Sequence, residues 1–262
     1  MQEGRLRTLR SHPEKISAPA FGIGLLIVWE VVVRAANVPE YLMPGPIAIF
    51  KQVWNIIFSG RLAPNLFITL KEVLFGYVIA IVLGITLGTL ISQVRLIEKA
   101  FKPLIIAFGA VPKIALGPLF IIWFGFGITS KIVLSALCAF FPLLINTMNG
   151  LNAVDKLKTE LFRSLGANRW QTFWNLKAPN ALPYIFAGLD IGAVFSVSGA
   201  IVGEFVGSQG GLGHMALAMQ YEFNIPGYFA VLLVIVPLGI IMHSIVTHTQ
   251  KRLIFWVADT RR

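Results

Sequence analysis

The sequence predicts an all-α membrane protein with about six transmembrane helices. Of its 262 residues, 56% are hydrophobic and only 13% are charged, whereas about a quarter of the residues in a soluble domain carry a charge. Mean hydropathy is correspondingly high, at +0.76. Apolar stretches close to the roughly 20 residues that cross a bilayer lie at 18–36, 66–92, 104–124, 131–150, 181–205 and 228–249.

Basic residues are distributed unevenly between the two sides of these spans. With the N-terminus in the cytoplasm, 16 of the 22 Lys and Arg residues fall in inside segments, which is the asymmetry that orients membrane proteins. Both termini and the connection 151–179 are therefore predicted to be cytoplasmic, with 37–64 and 206–227 outside. This orientation accounts for the net charge of +10, so we expect a lipid bilayer and no nucleic acid as partner.

No linker or low-complexity stretch divides the chain, which predicts one membrane domain. Its parts are an N-terminal tail (1–17), a first span with an outer segment (18–64), the main transmembrane domain (65–250) and a C-terminal tail (251–262). The first span is expected to be retained as an anchor, because it is long and carries Glu30 and Arg34 where a signal peptide would be cleaved. Cys138, the single cysteine, is expected to be a small packing residue.

The outer segment after the first span contains a short amphipathic helix, judged by the spacing of its apolar residues. A Pro-Gly-Pro break at 44–46 precedes this pattern, and we expect the helix to lie at the outer surface. The apolar residues are Ile47, Phe50, Val53, Trp54 and Ile57.

Small residues recur every four positions in the second span and predict close packing of another helix there. They are Gly76, Ala80, Gly84 and Gly88. The fifth span repeats this pattern with Gly188, Gly192, Ser196 and Ala200.

The fifth span also carries Asp190 near its inner end and Glu204 near its outer end. Ionisable groups at membrane depth are costly and usually face protein or a wet cavity. Two interpretations remain open: a solute pathway or gate that involves Asp190, Ser196 and Glu204, or a tight dimer seam.

The segment "GSQGGLGH" (207–214) superficially resembles a phosphate-binding loop. It follows a membrane helix rather than a strand and lacks the Gly-Lys-Ser/Thr ending, so a flexible outer loop is the better prediction. His243 and His248 lie on different helix faces without neighbouring ligands at metal-binding spacing, and we expect no metal site. No catalytic arrangement of side chains is evident.

Residues 156–179 form a polar, aromatic insert between two apolar spans. Its first helix is predicted to carry an apolar face packed against the membrane domain, formed by Leu157, Leu161, Phe162 and Leu165. Gly166 is placed where a helix ends in a left-handed residue. Asn168 and Gln171 form a capping box for a second helix, which Pro179 is expected to end. A helix–turn–helix of this kind suits docking of a partner.

The insert resembles the cytoplasmic signature of permease subunits of ATP-binding-cassette importers. That signature reads Glu-Ala-Ala, three residues, Gly, nine residues, Ile-x-Leu-Pro, and here Glu160, Gly166 and Pro179 fall at the matching positions. The two alanines are replaced by Leu161 and Phe162. Further segments resemble the family, including "TLKEVLFGYVIAIVLGITLG", "LFIIWFGFG", "ALPYIFAGL" and "GAIVGEFVGSQGGLG". The segment "LMPGPIAIF" indicates the branch that imports nitrate, sulfonates, taurine or pyrimidine precursors.

The resemblance implies the type I importer fold and a non-catalytic transport subunit in a bacterial cytoplasmic membrane. It implies three protein partners: an ATPase subunit that binds Mg-ATP, a periplasmic or lipoprotein solute-binding protein, and a second permease subunit, expected to be a copy of this chain. The chain lacks a Walker A sequence and is expected to hold no cofactor itself. The residues that the resemblance places at the ATPase are Glu160, Arg163, Gly166, Ala167, Asn168, Arg169 and Trp170.

Two other classes of protein remain as alternatives. An ion-coupled secondary transporter would explain six spans with buried Asp190 and Glu204, but no inverted repeat is evident. A membrane-embedded enzyme would require a nucleophile or metal cluster, and the sequence offers no recognisable one.

Overall fold

A computed structural model describes the backbone of residues 14–254 and the side chains of residues 20–254, so most of both predicted tails lies outside the described residues. Every regular element in that range is helical. The α-helices are α1 (Glu14–Ala35), α2 (Pro46–Phe58), α3 (Leu62–Gln93), α4 (Arg95–Ala110), α5 (Gly117–Phe124), α6 (Ile128–Asn152), α7 (Lys156–Ser164), α8 (Arg169–Thr172), α9 (Ala178–Gly207), α10 (Leu212–Tyr221) and α11 (Ile225–Leu253). The predicted all-α class is therefore confirmed.

Among residues 14–254, four continuous helices are long and apolar enough to cross a membrane, namely Leu62–Gln93, Ile128–Asn152, Arg169–Gly207 and Ile225–Leu253. They correspond to the second, fourth, fifth and sixth predicted spans. A fifth crossing is formed if the bent pair Arg95–Ala110 and Lys113–Phe124 counts as one. The first predicted span falls on α1, of which the first six side chains lie outside the described residues.

The third span is not the straight helix predicted over 104–124. It is broken between α4 and a short 3₁₀ turn, Lys113–Leu116, and the two parts meet at 83°. The cause is Pro112, which lacks an amide hydrogen and holds the preceding Val111 in an extended conformation, with ψ 128°. Hydropathy alone does not reveal such a break, because the residues next to it on both sides are mostly apolar.

The chain forms two compact units, of which one takes residues up to Arg61 together with Ala216–Leu233. In this unit the carboxylate of Glu30 on α1 accepts a hydrogen bond from the backbone amide of Ile47, at 3.1 Å, near the start of α2. The same carboxylate pairs with Arg34 at 2.5 Å. The predicted helix α2 is confirmed, and Phe50 and Trp54 on its apolar face are exposed.

The other unit, Leu62–Met215 with the chain from Val234 onward, is built on α6, which packs against both α3 and α9. The predicted small-residue face of α3 is buried in this arrangement. A Cβ atom at Gly84 would lie 2.7 Å from the Cβ of Leu143, and one at Gly88 would lie 2.9 Å from the Cβ of Thr147. The four-residue spacing therefore marks a helix–helix seam, as predicted.

The small-residue face of α9 also packs against α6. A Cβ atom at Gly188 would lie 2.8 Å from the Cβ of Asn146, and one at Gly199 would lie 2.8 Å from the Cα of Ser135. The hydroxyl of Ser135 donates to the backbone carbonyl of Ser196 at 2.9 Å. Within the described residues this face thus forms a seam inside one chain, and Ser196 is fully buried in it. Cys138 packs nearby with Phe120 and Leu134, which confirms its predicted packing role.

Candidate functional site

The turn of the insert follows the predicted geometry. Gly166 has φ +76°, and its amide donates to the carbonyl of Arg163 at 3.0 Å while the amide of Ala167 donates to that of Phe162 at 3.0 Å. These two bonds form a Schellman motif, in which a left-handed residue closes the helix end. Because a left-handed conformation costs a non-glycine residue about 1–2 kcal/mol, the geometry explains the glycine at this position.

The second helix of the insert begins with the predicted capping box. The side chain of Asn168 accepts from the backbone amide of Gln171 at 2.8 Å, and the side chain of Gln171 accepts from the amide of Asn168 at 2.9 Å. Both ends of the turn are thereby held by local hydrogen bonds. Local hydrogen bonds at both ends restrain the residues between the two helices, which suits a docking surface.

The expectation that Pro179 ends this helix is wrong. A π-helical turn, Phe173–Lys177, joins α8 to α9, and the helix runs from Arg169 to Gly207 without interruption. Pro179 is the second residue of α9, directly after the hydrogen-bond register changes. Proline lacks an amide hydrogen, and this is tolerated in the first turn of a helix, where the amide has no hydrogen-bond acceptor within the helix. The insert is therefore continuous with the fifth membrane helix.

The prediction that the apolar face of the insert packs against the membrane domain is wrong for three of its four residues, and only Phe162 is half-buried. Leu157 is 72% exposed, Leu165 is 75% exposed and Trp170 is 69% exposed. Leu161 and Trp174 are exposed as well. We call this set of five side chains the insert surface. Large apolar side chains concentrated on one exposed surface indicate a binding site for another protein.

The remaining predicted contact residues border the insert surface. Glu160, Arg163 and Arg169 are exposed, and Ala167 is half-buried in the turn. Charged residues around an apolar centre are the usual arrangement of a protein–protein interface. The sequence-based set is thus brought together at one end of α9.

The carboxylate of Asp190 on α9 is in hydrogen-bonding contact with Nδ1 of His243 on α11. His243 lines a groove of about 430 Å³, together with residues that include Val197, Ser198 and Gly239. The sequence analysis missed His243 because 53 residues separate it from Asp190, and no local pattern links the two. A carboxylate and an imidazole at membrane depth beside an apolar groove can bind a polar group of a solute or control its passage.

Glu204 lies at the other end of α9 and is 1% exposed. Its carboxylate accepts hydrogen bonds from the hydroxyl of Thr69, at 2.6 Å, and from the backbone amide of Gly213. The hydroxyl of Thr69 accepts in turn from the amide of Leu212 at 2.8 Å. The expectation of a flexible loop at 207–214 is therefore wrong for its second half, which is bound to α3 and α9.

Two further buried ionisable residues lie near Glu204, and the sequence analysis did not select either of them as a site residue. Glu72 on α3 lies within hydrogen-bonding reach of Glu204, and Lys131 on α6 is close enough to interact electrostatically with both carboxyl groups. Each of the three side chains is 1% exposed. A usable signal was present for Glu72, since it precedes Gly76 by four residues and so extends the buried small-residue face of α3.

Metal binding has no structural basis in the described part of the chain, which contains no group of three or more His, Cys, Asp or Glu side chains able to hold an ion.

Comparison with known proteins adds a family match and close relatives. Residues 80–255 match the family described as binding-protein-dependent transport system inner membrane component. The chain is similar to the formylaminopyrimidine transport permease protein ThiX of Halalkalibacterium halodurans, with 36% identity over 90% of this chain and 94% of the relative. It is also similar to the riboflavin transport system permease protein RibX of Chloroflexus aurantiacus, with 32% identity over 97% of this chain and 96% of the relative.

The fold has counterparts among solved structures. An inward-facing structure of the MetNI methionine ABC transporter covers 73% of this chain and 95% of its own chain, with a TM-score of 0.64 and 21% identity. At that identity the likeness concerns the fold alone.

Proposed function

The chain belongs to the family of binding-protein-dependent transport system inner membrane components, as a permease subunit of an ATP-binding-cassette importer, and we propose that its insert surface couples it to a separate ATPase subunit. The secondary-transporter alternative is not favoured. As a transport permease, the chain is a multi-pass, non-catalytic membrane subunit.

The observation that supports the coupling proposal is the exposure of the insert surface on a turn restrained by local hydrogen bonds. Leu157, Leu161 and Trp170 would enter a groove on the ATPase, and Glu160, Arg163 and Arg169 would form polar contacts around them. Because the insert continues into α9 without a break, displacement of the turn would move a membrane-spanning helix as well. Mg-ATP would be bound by the ATPase subunit, and this chain would contribute no cofactor site.

Co-purification tests this proposal directly. The permease is co-expressed with an ATP-binding-cassette ATPase from the same organism and isolated in mild detergent. A stable complex is the expected result. Recovery of the permease without the ATPase, under conditions that retain its fold, would contradict the coupling role.

The solute is proposed to pass between two copies of this chain after delivery by a binding protein at the outer face. Two relatives are named for transport of formylaminopyrimidine and of riboflavin, and two others for transport of aliphatic sulfonates and of taurine. The proposed solute is therefore a pyrimidine-like nutrient or a small anion such as a sulfonate, taurine or nitrate. The pair Asp190 and His243 would lie near the pathway or its gate. Ser196 has no exposed surface, so we propose that it supports the pathway through packing rather than by contact with solute.

Topology is tested by labelling single cysteines introduced at exposed positions in a Cys138→Ser background. A membrane-impermeant maleimide is expected to label Ser59→Cys and Gln209→Cys in intact cells, and Ser164→Cys only after the membrane is opened. This pattern follows from the basic residues on the inner side. External labelling at position 164 would reverse the proposed orientation.

Asp190→Asn is expected to reduce the transport rate several-fold, because it removes the carboxylate that contacts His243 at membrane depth. The matched control is His248→Gln. His248 is exposed on α11, the helix that carries His243, and is expected to tolerate the change. Solute uptake by reconstituted vesicles provides the measurement. Equal rates for both variants and the unaltered protein would remove Asp190 from the pathway.

A further inference from the structure

The segment 207–213, which we call the glycine loop, presents three successive backbone amides to three side chains. The amide of Gly211 donates to Oδ1 of Asn65 at 2.9 Å. The amide of Leu212 donates to the hydroxyl of Thr69 at 2.8 Å, and the amide of Gly213 donates to the carboxylate of Glu204. Each amide has its own acceptor, and only the amide of Gly213 donates to a carboxylate. The loop is therefore fixed to α3 and α9 by three separate hydrogen bonds.

The glycines allow this contact because a side chain would occupy the space of the carboxylate. Gly211 has φ +105°, and a Cβ atom added there would collide with the carboxylate of Glu204. A Cβ atom at Gly213 would lie 2.9 Å from Oε2 of the same residue. The loop can therefore bind Glu204 only if both positions lack side chains. This accounts for the glycines at 211 and 213, which the proposed function leaves unexplained.

The helix that follows the loop strengthens the contact. Gly213 is the second residue of α10, so the carboxylate of Glu204 meets an amide of the first turn. Negative charge is stabilised there by the helix dipole. The two oxygens of Glu204 accept from Thr69 and from Gly213 respectively, an arrangement that suits an ionised carboxylate.

Glu72 has a different environment, although it is buried to the same extent. Its Oε2 atom has no hydrogen-bond partner among the described residues. Lys131 donates to the carbonyls of Phe126, at 2.6 Å, and Gly127, at 3.1 Å, rather than to this carboxyl group. Two ionised carboxylates beside a single ammonium group would leave an uncompensated buried charge, and such a charge is strongly unfavourable. A proton on Glu72 removes that charge and supplies a donor to Glu204.

We propose that Glu204, Thr69 and Asn65 form a latch that holds the glycine loop against the outer ends of α3 and α9, and that Glu72 completes the latch as a neutral carboxylic acid. This inference rests on the proposed function, since a latch at this position would keep the two helix ends together until transport requires them to separate. These side chains act as positioning residues and need not touch the solute.

Hydrogen–deuterium exchange of the full chain in detergent tests the latch. In Glu204→Gln, exchange at the amides of 211–213 is expected to rise about ten-fold, because a charged acceptor is lost. Glu72→Gln is the matched control, since its amide group donates to Glu204 as a carboxylic acid would, and exchange should remain as in the unaltered protein. Equal acceleration in both variants would overturn the neutral state of Glu72.

Thr69 provides a second, independent comparison in case a glutamate variant fails to fold. Thr69→Val removes both the donor to Glu204 and the acceptor for the Leu212 amide, so exchange in the glycine loop should accelerate. Thr69→Ser retains the hydroxyl and should restore slow exchange. Fast exchange in the serine variant, or slow exchange in the valine variant, would overturn the latch.

The exchange experiment does not depend on transport activity, and the two proposals can therefore fail separately. If the ATPase does not co-purify with the unaltered permease but Glu204→Gln accelerates exchange, the coupling proposal fails while the latch stands. If the complex forms and transports solute but exchange in Glu204→Gln is unchanged, the latch fails alone.

Discussion

Replacing Gly84 with leucine is expected to destabilise the seam between α3 and α6. A Cβ atom at this position would lie 2.7 Å from the Cβ of Leu143 and 3.3 Å from the backbone nitrogen of Leu144. Since α6 also packs against α9, it cannot retreat from α3 without disturbing that second contact. Overpacking of a well-packed site costs about 1–3 kcal/mol and occasionally more. Because backbone atoms cannot move aside as a flexible side chain can, we expect the cost at Gly84 to be at the upper end of this range. Thermal unfolding in detergent should show a clear decrease in Tm.

Gly239→Leu provides the matched control for this prediction. Gly239 lies within α11, another apolar membrane helix, and a Cβ atom there has no neighbour within 4 Å. The same change in volume and helix propensity should therefore leave Tm nearly unaltered or slightly higher. Similar losses of Tm in both variants would show that the effect of leucine at position 84 does not arise from the seam.

The seam illustrates what the spacing of small residues can predict. Gly76, Ala80, Gly84 and Gly88 fall on one face at any helical pitch near 3.6 residues, so the presence of a close neighbour follows from the sequence. The identity of that neighbour does not. The similar face of α9 was compatible with a pathway or with contact between two copies, and only the structure places α6 against it within one chain.

Two errors at prolines, the break in the third span and the expected helix end at Pro179, show why helix ends are harder to predict than the helices themselves. Pro112 breaks the third span because the residue before it adopts an extended conformation. Pro179 was expected to have the same effect, but the π-helical turn before it changes the hydrogen-bond register and removes the need for its amide. Sequence alone does not distinguish these cases, since both prolines follow apolar or small residues.

The candidate sites differ in how far apart in sequence their contacting residues are. The left-handed Gly166 and the capping box of Asn168 depend on residues within five positions of one another, and both were predicted. The contact between Glu204 and Thr69 joins residues 135 positions apart, and its geometry depends on the packing of α3, α6 and α9. Contacts of this kind follow from the tertiary fold, which local periodicity does not specify.

The strongest functional effect is expected from Gly166→Val, which should separate the permease from its ATPase without affecting membrane insertion. The left-handed conformation at φ +76° would cost valine at least about 1–2 kcal/mol, and relief of this strain would displace Ala167 and Asn168 from the turn. A change of 1.4 kcal/mol corresponds to about ten-fold in binding, so the ATPase that co-purifies should fall by that factor. Gly60→Val is the matched control, because Gly60 has φ +71° and, like Gly166, has no neighbour within 4 Å of an added Cβ atom, but lies outside the insert. It should incur the same strain and retain the ATPase. Equal retention of the ATPase by both variants, with solute-stimulated ATP hydrolysis intact, would mean that the insert only connects two membrane helices.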